Sequence, residues 1–307
     1  MGDFYEQFHE DAVVASEVLG LALTSRDKKA AEPIPMAGFP WHALEDNLRV
    51  MLQAGYKVCV AEQEDELREG AKLLERVVTR VYTPGSLYEE SLIGTDDVAG
   101  LAAISIKGDG IGLAILDAST GHVWTMEHHG EERWSRLLDD LLRSNPKELI
   151  FSPRDADKEN LRAVISQLDR VTLSQHSSSN RKGQDSLKRI LEVADLGHID
   201  LGDSPLAMEA AGLAADYLAA MHIVDSIDFR EVEIMRPDGN MILDQTTLRN
   251  LELIQTLSGE KEGSLIGAID KCRTSMGRRT LKQWILRPLA KKQPIEERQD
   301  AVASIAR

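Results

Sequence analysis

Phe4 and Glu6 stand two residues apart in the opening run Gly2-Asp3-Phe4-Tyr5-Glu6-Gln7-Phe8. In an extended strand, side chains at i and i+2 share a face, so Phe4 and Glu6 project together while Tyr5 points the other way. A flat apolar ring beside a hydrogen-bonding carboxylate suits one kind of chemistry. The ring can wedge into a base stack, and the carboxylate can meet the edge of the displaced base. Wedges of this kind unstack a base step and kink the duplex, at a cost of a few kcal/mol. A mispaired step is easier to open, so its deformability is itself a signal. The plainer alternative is an amphipathic strand with Phe4 in a core, and the heptapeptide alone leaves both open.

Other residue types offer weaker chemistry. Asp117 ends an apolar run, and Asp96, Asp97 and Asp109 lie near it in sequence. Clustered carboxylates would suit a metal-dependent nuclease. However, Asp109 falls in a turn and Asp96-Asp97 in a linker, so no convergent set is visible and solvated acids are the better reading. His128 and His129 are adjacent, and adjacent strand residues face opposite ways, which makes them poor joint metal ligands. Cys59 and Cys272 are far apart and form neither a metal-ligand pattern nor a disulfide framework. No G-x-x-x-x-G-K-[ST] run is present, so the chain lacks that cradle for nucleotide phosphates.

The elements that must position such residues fall into three segments, as 307 residues suggest. Hydrophobic residues make up 42%, enough for real cores, and no apolar run approaches a transmembrane length. No basic segment followed by an apolar stretch opens the chain, so a cytoplasmic location is expected. Net charge is −15, which argues against a general phosphate-binding field. The charge is uneven: residues 1–90 carry −8, residues 91–225 carry −9, and residues 226–307 carry +2. Any DNA contact in the first two segments must come from a few placed groups. Lys271, Arg273, Arg278, Arg279, Lys282, Arg287, Lys291 and Lys292 stand with no acid between them. This run reads as a helix face that packs or is solvated, in preference to a separate DNA patch.

In the first segment, 1–8 reads as extended and 11–23 as a helix near Gly20. The run 33–40 reads as a proline-rich loop, 42–54 as a helix closed by Gly55, and 56–61 and 77–82 as strands before a turn at Thr83-Pro84-Gly85-Ser86. The second segment opens with an antiparallel meander at 101–106, 112–117 and 122–126. Helices are expected at 132–143 and 157–168 around a strand at 148–151, followed by an exposed serine-rich loop at 174–186. A long alanine-rich helix at 205–223 has Pro205 in its first turn and Ser204 as candidate cap. In the third segment, Asp244 can cap a helix over 245–257, and another helix runs from about 275 to 286 before Pro288.

Read in order, these motifs resemble the MutS family. Gly2 to Phe8 with Asp11-Ala12 matches its G-D-F-Y-E-x-F and D-A. Leu23-Thr24-Ser25-Arg26 matches L-T-x-R, and Pro35-Met36-Ala37-Gly38-Phe39-Pro40-Trp41-His42 matches P-M-A-G-x-P-x-H. Glu62-Gln63 and Arg80-Val81-Tyr82-Thr83-Pro84-Gly85 match E-Q and R-x-x-T-P-G. Gly112 to Gly121 resembles the family's connector hairpin. Leu243-Asp244, Thr247 to Glu252, and Met276-Gly277-Arg278-Arg279 through Pro288-Leu289 resemble its helical core. The set covers essentially the whole chain.

The resemblance implies an α/β multidomain chain: a mixed α/β mismatch-binding domain at 1–92, an RNase H-like α/β connector at 97–225, and the start of an α-helical core at 226–307. It implies recognition of mismatched or looped duplex DNA, with Phe4 as the stacking wedge and Glu6 as the base-edge contact. Arg26 and Met36 would lie near the DNA backbone or minor groove. It also implies a homodimer, a MutL-type partner that the connector could meet, and a place in the bacterial cytosol at the nucleoid. ATP and Mg2+ are implied for an ATPase expected beyond Arg307, together with lever and clamp, which makes the chain a fragment and not itself an enzyme. Two departures stand out. The family normally has a helical lead-in before G-D-F-Y-E, whereas this sequence opens on Met1 directly, and Glu64-Asp65-Glu66-Leu67-Arg68-Glu69 stands where the family usually has an Asp-Pro step. Two other readings remain at this point: a paralogue acting as a scaffold on branched DNA, which would be expected to lack the F-x-E pair, and the nuclease considered above. From the absent phosphate cradle, the chain is expected neither to bind nor to hydrolyse ATP. Isothermal calorimetry checks this, and a saturable ATP isotherm would contradict it.

Overall fold

The computed structural model describes residues 3–25, 32–63, 76–87, 100–118, 121–196, 204–221, 231–235, 239–241 and 243–305. In the first segment, the alternating run Phe4–Phe8 forms β1. His9, at φ 57°, turns the chain into α1 (His9–Leu19). Next come β2 (Thr24–Ser25) and β3 (Pro35–Pro40). Residues 33–40 were expected to form a loop, but β3 is the middle strand of a sheet ordered β1-β3-β2. Its prolines occupy the first and last positions, where a missing N–H leaves the interior ladder intact. α1 packs on β3, and Ala12, Ala15, Ala37 and Phe39 are all buried there. After a short 3-10 turn, α2 (Leu44–Gln53) buries Leu48, Met51 and Leu52. A second sheet pairs β4 (Val58–Gln63) with β5 (Arg76–Tyr82) antiparallel.

The second segment is built on a six-stranded mixed sheet. Its meander is β6 (Gly100–Lys107), β7 (Gly110–Asp117) and β8 (His122–His129), each slightly longer than the apolar pattern suggests. α3 (Arg133–Ser144), β9 (Glu148–Phe151) and α4 (Glu159–Ile165) follow as expected. The serine-rich run does not form an exposed loop. It opens with the last two residues of β10 (Thr172–Gln175), with Ser174 buried, and holds most of α5 (Asn180–Ile190), capped by Ser179. Low apolar content conceals a strand whose polar side chains are satisfied internally.

α6 (Pro205–Ala220) is buried along most of its length. Ser204 does not cap it with its side chain. The Leu206 and Ala207 N–H groups instead donate to Glu127 Oε2 at 2.9 and 3.1 Å, so a carboxylate from β8 meets the positive end of the helix. Strand order is β10-β9-β6-β7-β8-β11, and β11 (Glu231–Ile234) lies parallel to β8. Residues 231–234, grouped by sequence with the third segment, thus edge the second segment's sheet. One sheet face packs on α5 and α6, the other on α3 and α4.

The third segment is helical: α7 (Gln245–Asn250), α8 (Leu265–Ile269), α9 (Ser275–Leu286) and α10 (Lys292–Ile305). Asp244 caps α7 by accepting from Thr247 N–H at 2.6 Å, but the helix stops well short of 257, near Glu252 at φ 49°. Among its described apolar residues only Leu243, Ile266 and Leu286 are buried, while Leu251, Leu257, Ile269 and Met276 are exposed. Few buried apolar contacts mean easy local opening. Amide hydrogen exchange is therefore expected to be faster across 245–305 than across 100–196. Equal protection of the two would contradict this.

Candidate nucleic-acid interface

Pairing of β1 with β3 sets Phe4 opposite Pro40, Glu6 opposite Gly38 and Phe8 opposite Met36. Directly opposed residues share a sheet face, so Phe4, Glu6, Gly38 and Met36 lie together on one side. Tyr5, Gln7, Ala37 and Phe39 lie on the other. Burial follows this division. Phe4 is 59% exposed, which removes it from any core, and Glu6 is exposed, whereas Ala37 and Phe39 are buried. Same-face positions i and i+2 on a strand are about 7 Å apart. That is roughly the height of two base-pair steps of 3.4 Å.

Three contacts hold β1 in this register. Trp41 N–H donates to Asp3 O at 2.9 Å and closes the end of the β1–β3 pair beside Phe4. Tyr5 points inward, with its ring 6.1 Å from that of Phe39. Its hydroxyl donates to Glu62 Oε1 at 3.3 Å and ties β1 to β4. Burial, then the nearby Glu62 charge, pushes the Tyr5 hydroxyl pKa up, so it remains a donor at neutral pH. Gly38 fits beneath Glu6 because it has no side chain. A Cβ there would sit 2.8 Å from Tyr5 O and 3.7 Å from Glu6 Cγ.

The structure brings Phe4, Glu6 and Met36 to one face. Met36 lies diagonally across from Glu6, half-buried and opposite Phe8. Arg26 lies outside the described residues, as do Asp96, Asp97 and the acidic run 64–69. Sequence reasoning missed Trp41, which is 62% exposed beside the Phe4 row, with its ring edge-on to His42 at 6.1 Å. Its signal was an aromatic residue directly after the proline paired with Phe4.

The other candidate chemistries separate in space. Among the described residues, no three His, Cys, Asp or Glu side chains gather as metal ligands. Asp117 is buried at the end of β7. His128 is buried and lies 2.9 Å from Asp140, whereas His129 is more exposed and pairs with Glu127 at 2.8 Å. The basic run turns partly inward. Arg279 and Arg287 are buried, Arg287 lies over the Trp124 ring at 5.7 Å, and Arg278 donates to Asp270 at 2.8 Å. Burial pulls the Arg287 pKa down from its ordinary value. No helix among the described residues is long and apolar enough to cross a membrane.

Family models for MutS domain I, MutS domain II and MutS domain III match residues 1–91, 99–223 and 246–307. The chain is 36% identical to the DNA mismatch repair protein MutS of Anaeromyxobacter dehalogenans strain 2CP-C, covering 100% of this chain and 35% of that protein. It is 35% identical to that of Syntrophomonas wolfei, covering 98% and 36%. Against that of Myxococcus xanthus strain DK1622 it is 34% identical, covering 100% and 34%. The chain therefore spans about a third of the length of the curated relatives it matches.

The close approach at Gly38 can be tested directly. Gly38→Ala is expected to destabilise the β1–β3 sheet by about 1–3 kcal/mol, the usual penalty for overpacking. Hydrogen exchange should then quicken across 3–25 and 35–40 and stay unchanged across 100–118. An unaltered profile in the first segment would show that the two strands can separate without cost.

Proposed function

The chain belongs to the MutS family, and from that membership we propose that it recognises mismatched or looped duplex DNA and so initiates repair. The observation that carries this reading is the Phe4–Glu6 pair, exposed side by side on a strand whose alternate residues are anchored inward. Phe4 enters the weakened base step as a wedge. Glu6 hydrogen-bonds the edge of the base that the wedge displaces. Met36 borders the same face, and it and Arg26 lie near the DNA backbone or minor groove. An intact duplex resists the wedge because its stacking must be broken without the discount a mispair offers.

Recognition by a few placed groups agrees with the charge of the first segment, since −8 over residues 1–90 gives no general attraction to phosphate. A branched-DNA scaffold would have no use for an exposed ring paired with a carboxylate. We extend the proposal to two partners: a second copy of the chain and a MutL-type protein meeting the connector.

The test uses a chimera in which this chain replaces the corresponding third of a full-length relative. Base–aromatic stacking is worth about 1–3 kcal/mol. Phe4→Ala should therefore lower mismatch affinity roughly ten- to a hundredfold, since about 1.4 kcal/mol is a factor of ten. Matched-duplex affinity should barely change. Glu6→Ala removes a carboxylate that repels phosphate, so matched binding should hold level or tighten and the gap between duplexes should narrow. Fluorescence anisotropy on paired oligonucleotides reads both. Equal weakening of matched and mismatched duplexes by Phe4→Ala would contradict the wedge.

A further inference from the structure

Glu148 begins β9 with no solvent exposure, and its carboxylate collects groups from two segments. From the second segment, Tyr217 OH donates to Oε1 at 2.6 Å, and the Ser174 hydroxyl donates to the same oxygen. From the first, Gly85 N–H donates to Oε2 at 3.2 Å, and Lys57 Nζ stands 3.4 Å from Oε1. Lys57 Nζ also donates to Ser174 Oγ at 2.6 Å and lies 5.5 Å from the centre of the Tyr217 ring. Burial, then the Glu148 charge, pushes the Tyr217 hydroxyl pKa well up, which keeps it protonated and donating.

A buried carboxylate is costly unless it is both paired and hydrogen-bonded. The second segment offers Glu148 hydroxyl donors. Lys57 of the first segment brings a cation to it, with Nζ 3.4 Å from Oε1. The fit at Gly85 is equally demanding. A Cβ there would fall 2.6 Å from Glu148 Cβ and 2.9 Å from Leu101 Cδ1. The turn carrying Gly85 is closed on itself, with Thr83 Oγ1 donating to Ser86 Oγ at 2.8 Å, and both residues are buried. Beside it, Val81 N–H donates to Met221 O at 3.3 Å.

We infer that Glu148 is a positioning residue: its carboxylate latches the segment bearing Phe4 and Glu6 onto the connector and fixes the attitude at which β1 meets DNA. The inference rests on the function proposed above. Lys57 leads into β4 and Gly85 follows β5, so the latch grips both strands of that sheet. Val58 and Tyr82 from these strands pack with Leu87 against Leu48 and Leu52 of α2. At the far end of β4, Glu62 accepts from Tyr5, the inward neighbour of Phe4 and Glu6. The gripped sheet is thus joined to the reading strand by side-chain contact.

Glu148→Gln keeps the size of the side chain but removes its charge and turns an amide NH2 toward existing donors. Lys57→Met keeps the aliphatic stem and strands the carboxylate, whereas Glu148→Gln removes the charge itself, so the two variants disturb the latch from opposite sides and either one that folds carries the test. Losing a hydrogen bond to a charged group should speed amide exchange at Val81, Gly85 and Ser86 by about tenfold or more. Exchange in β6, β7 and β8 should hold, and Lys57→Arg should restore protection. In the chimera, Lys57→Met should also lower the ratio of mismatch to matched affinity, a quantity that local packing alone does not set. Phe4→Ala runs beside it as the control for the DNA assay. Unchanged exchange at 81–87 in both variants overturns the latch. Faster exchange with an unchanged affinity ratio, while Phe4→Ala collapses that ratio, overturns the positioning role. If Phe4→Ala leaves the ratio untouched, the wedge reading fails by itself, and exchange at 81–87 still decides whether the latch exists.

Discussion

The antiparallel pairing of β1 with β3 decides which side chains of the opening strand face outward, and the proposed reading surface depends on it. A strand alternates strictly, so a slip of one residue would turn Tyr5 and Gln7 to solvent and bury Phe4 and Glu6. The register is held from the inward side. Tyr5 lies against Phe39 and reaches Glu62, Trp41 N–H closes the pair at Asp3, and Gly38 lets β3 pass close beneath Glu6. Under the proposed function, the Phe4 ring must be kept out of its own core yet held still. Here the residues on either side of it provide the hold.

The rest of the chain supplies a platform of graded stiffness. The second segment buries β6, β7 and β9 almost completely between two helical layers, and it places a carboxylate from β8 at the start of α6. It meets the first segment through the buried Glu148 cluster. It meets the third through Arg143, whose guanidinium donates to Leu243 O at 2.7 Å, and through Arg287 against Trp124. The third segment leaves much apolar surface exposed, Leu251, Leu257, Ile269 and Met276 among it. The β1 end is thus anchored through side chains, while the helical end keeps open apolar surface.

Much of this was legible in the sequence where one physical signal dominates. The segment 101–126 consists of short, largely apolar runs separated by turns containing glycine, and its strands form in that order. Asp244 announces its helix, and Phe4-x-Glu6 announces its shared face. Where tertiary contacts override local preference, the pattern misled. Prolines at 35 and 40 suggested a loop although they merely bound a strand. The serines around 174 suggested exposure, yet Ser174 is buried because Glu148 and Lys57 satisfy its hydroxyl. Ser204 seemed the natural cap of α6, but Glu127, far off in sequence, took that place. The T-P-G turn read only as a turn. That its glycine fits against a buried carboxylate could not be known without the partner strand.

Under the proposed function, Phe4 opens a mispaired step and thereby bends the duplex. Wedge insertion kinks DNA by about 20–90°. The most direct measurement is the end-to-end distance of a short duplex by resonance energy transfer, with a single mismatch at its centre, bound to the chimera. The account predicts that binding shortens this distance for the mismatched duplex and leaves the matched duplex straight. It further predicts that at saturating Phe4→Ala protein the bend is lost. A mismatched duplex that bends equally with alanine at position 4 would contradict it.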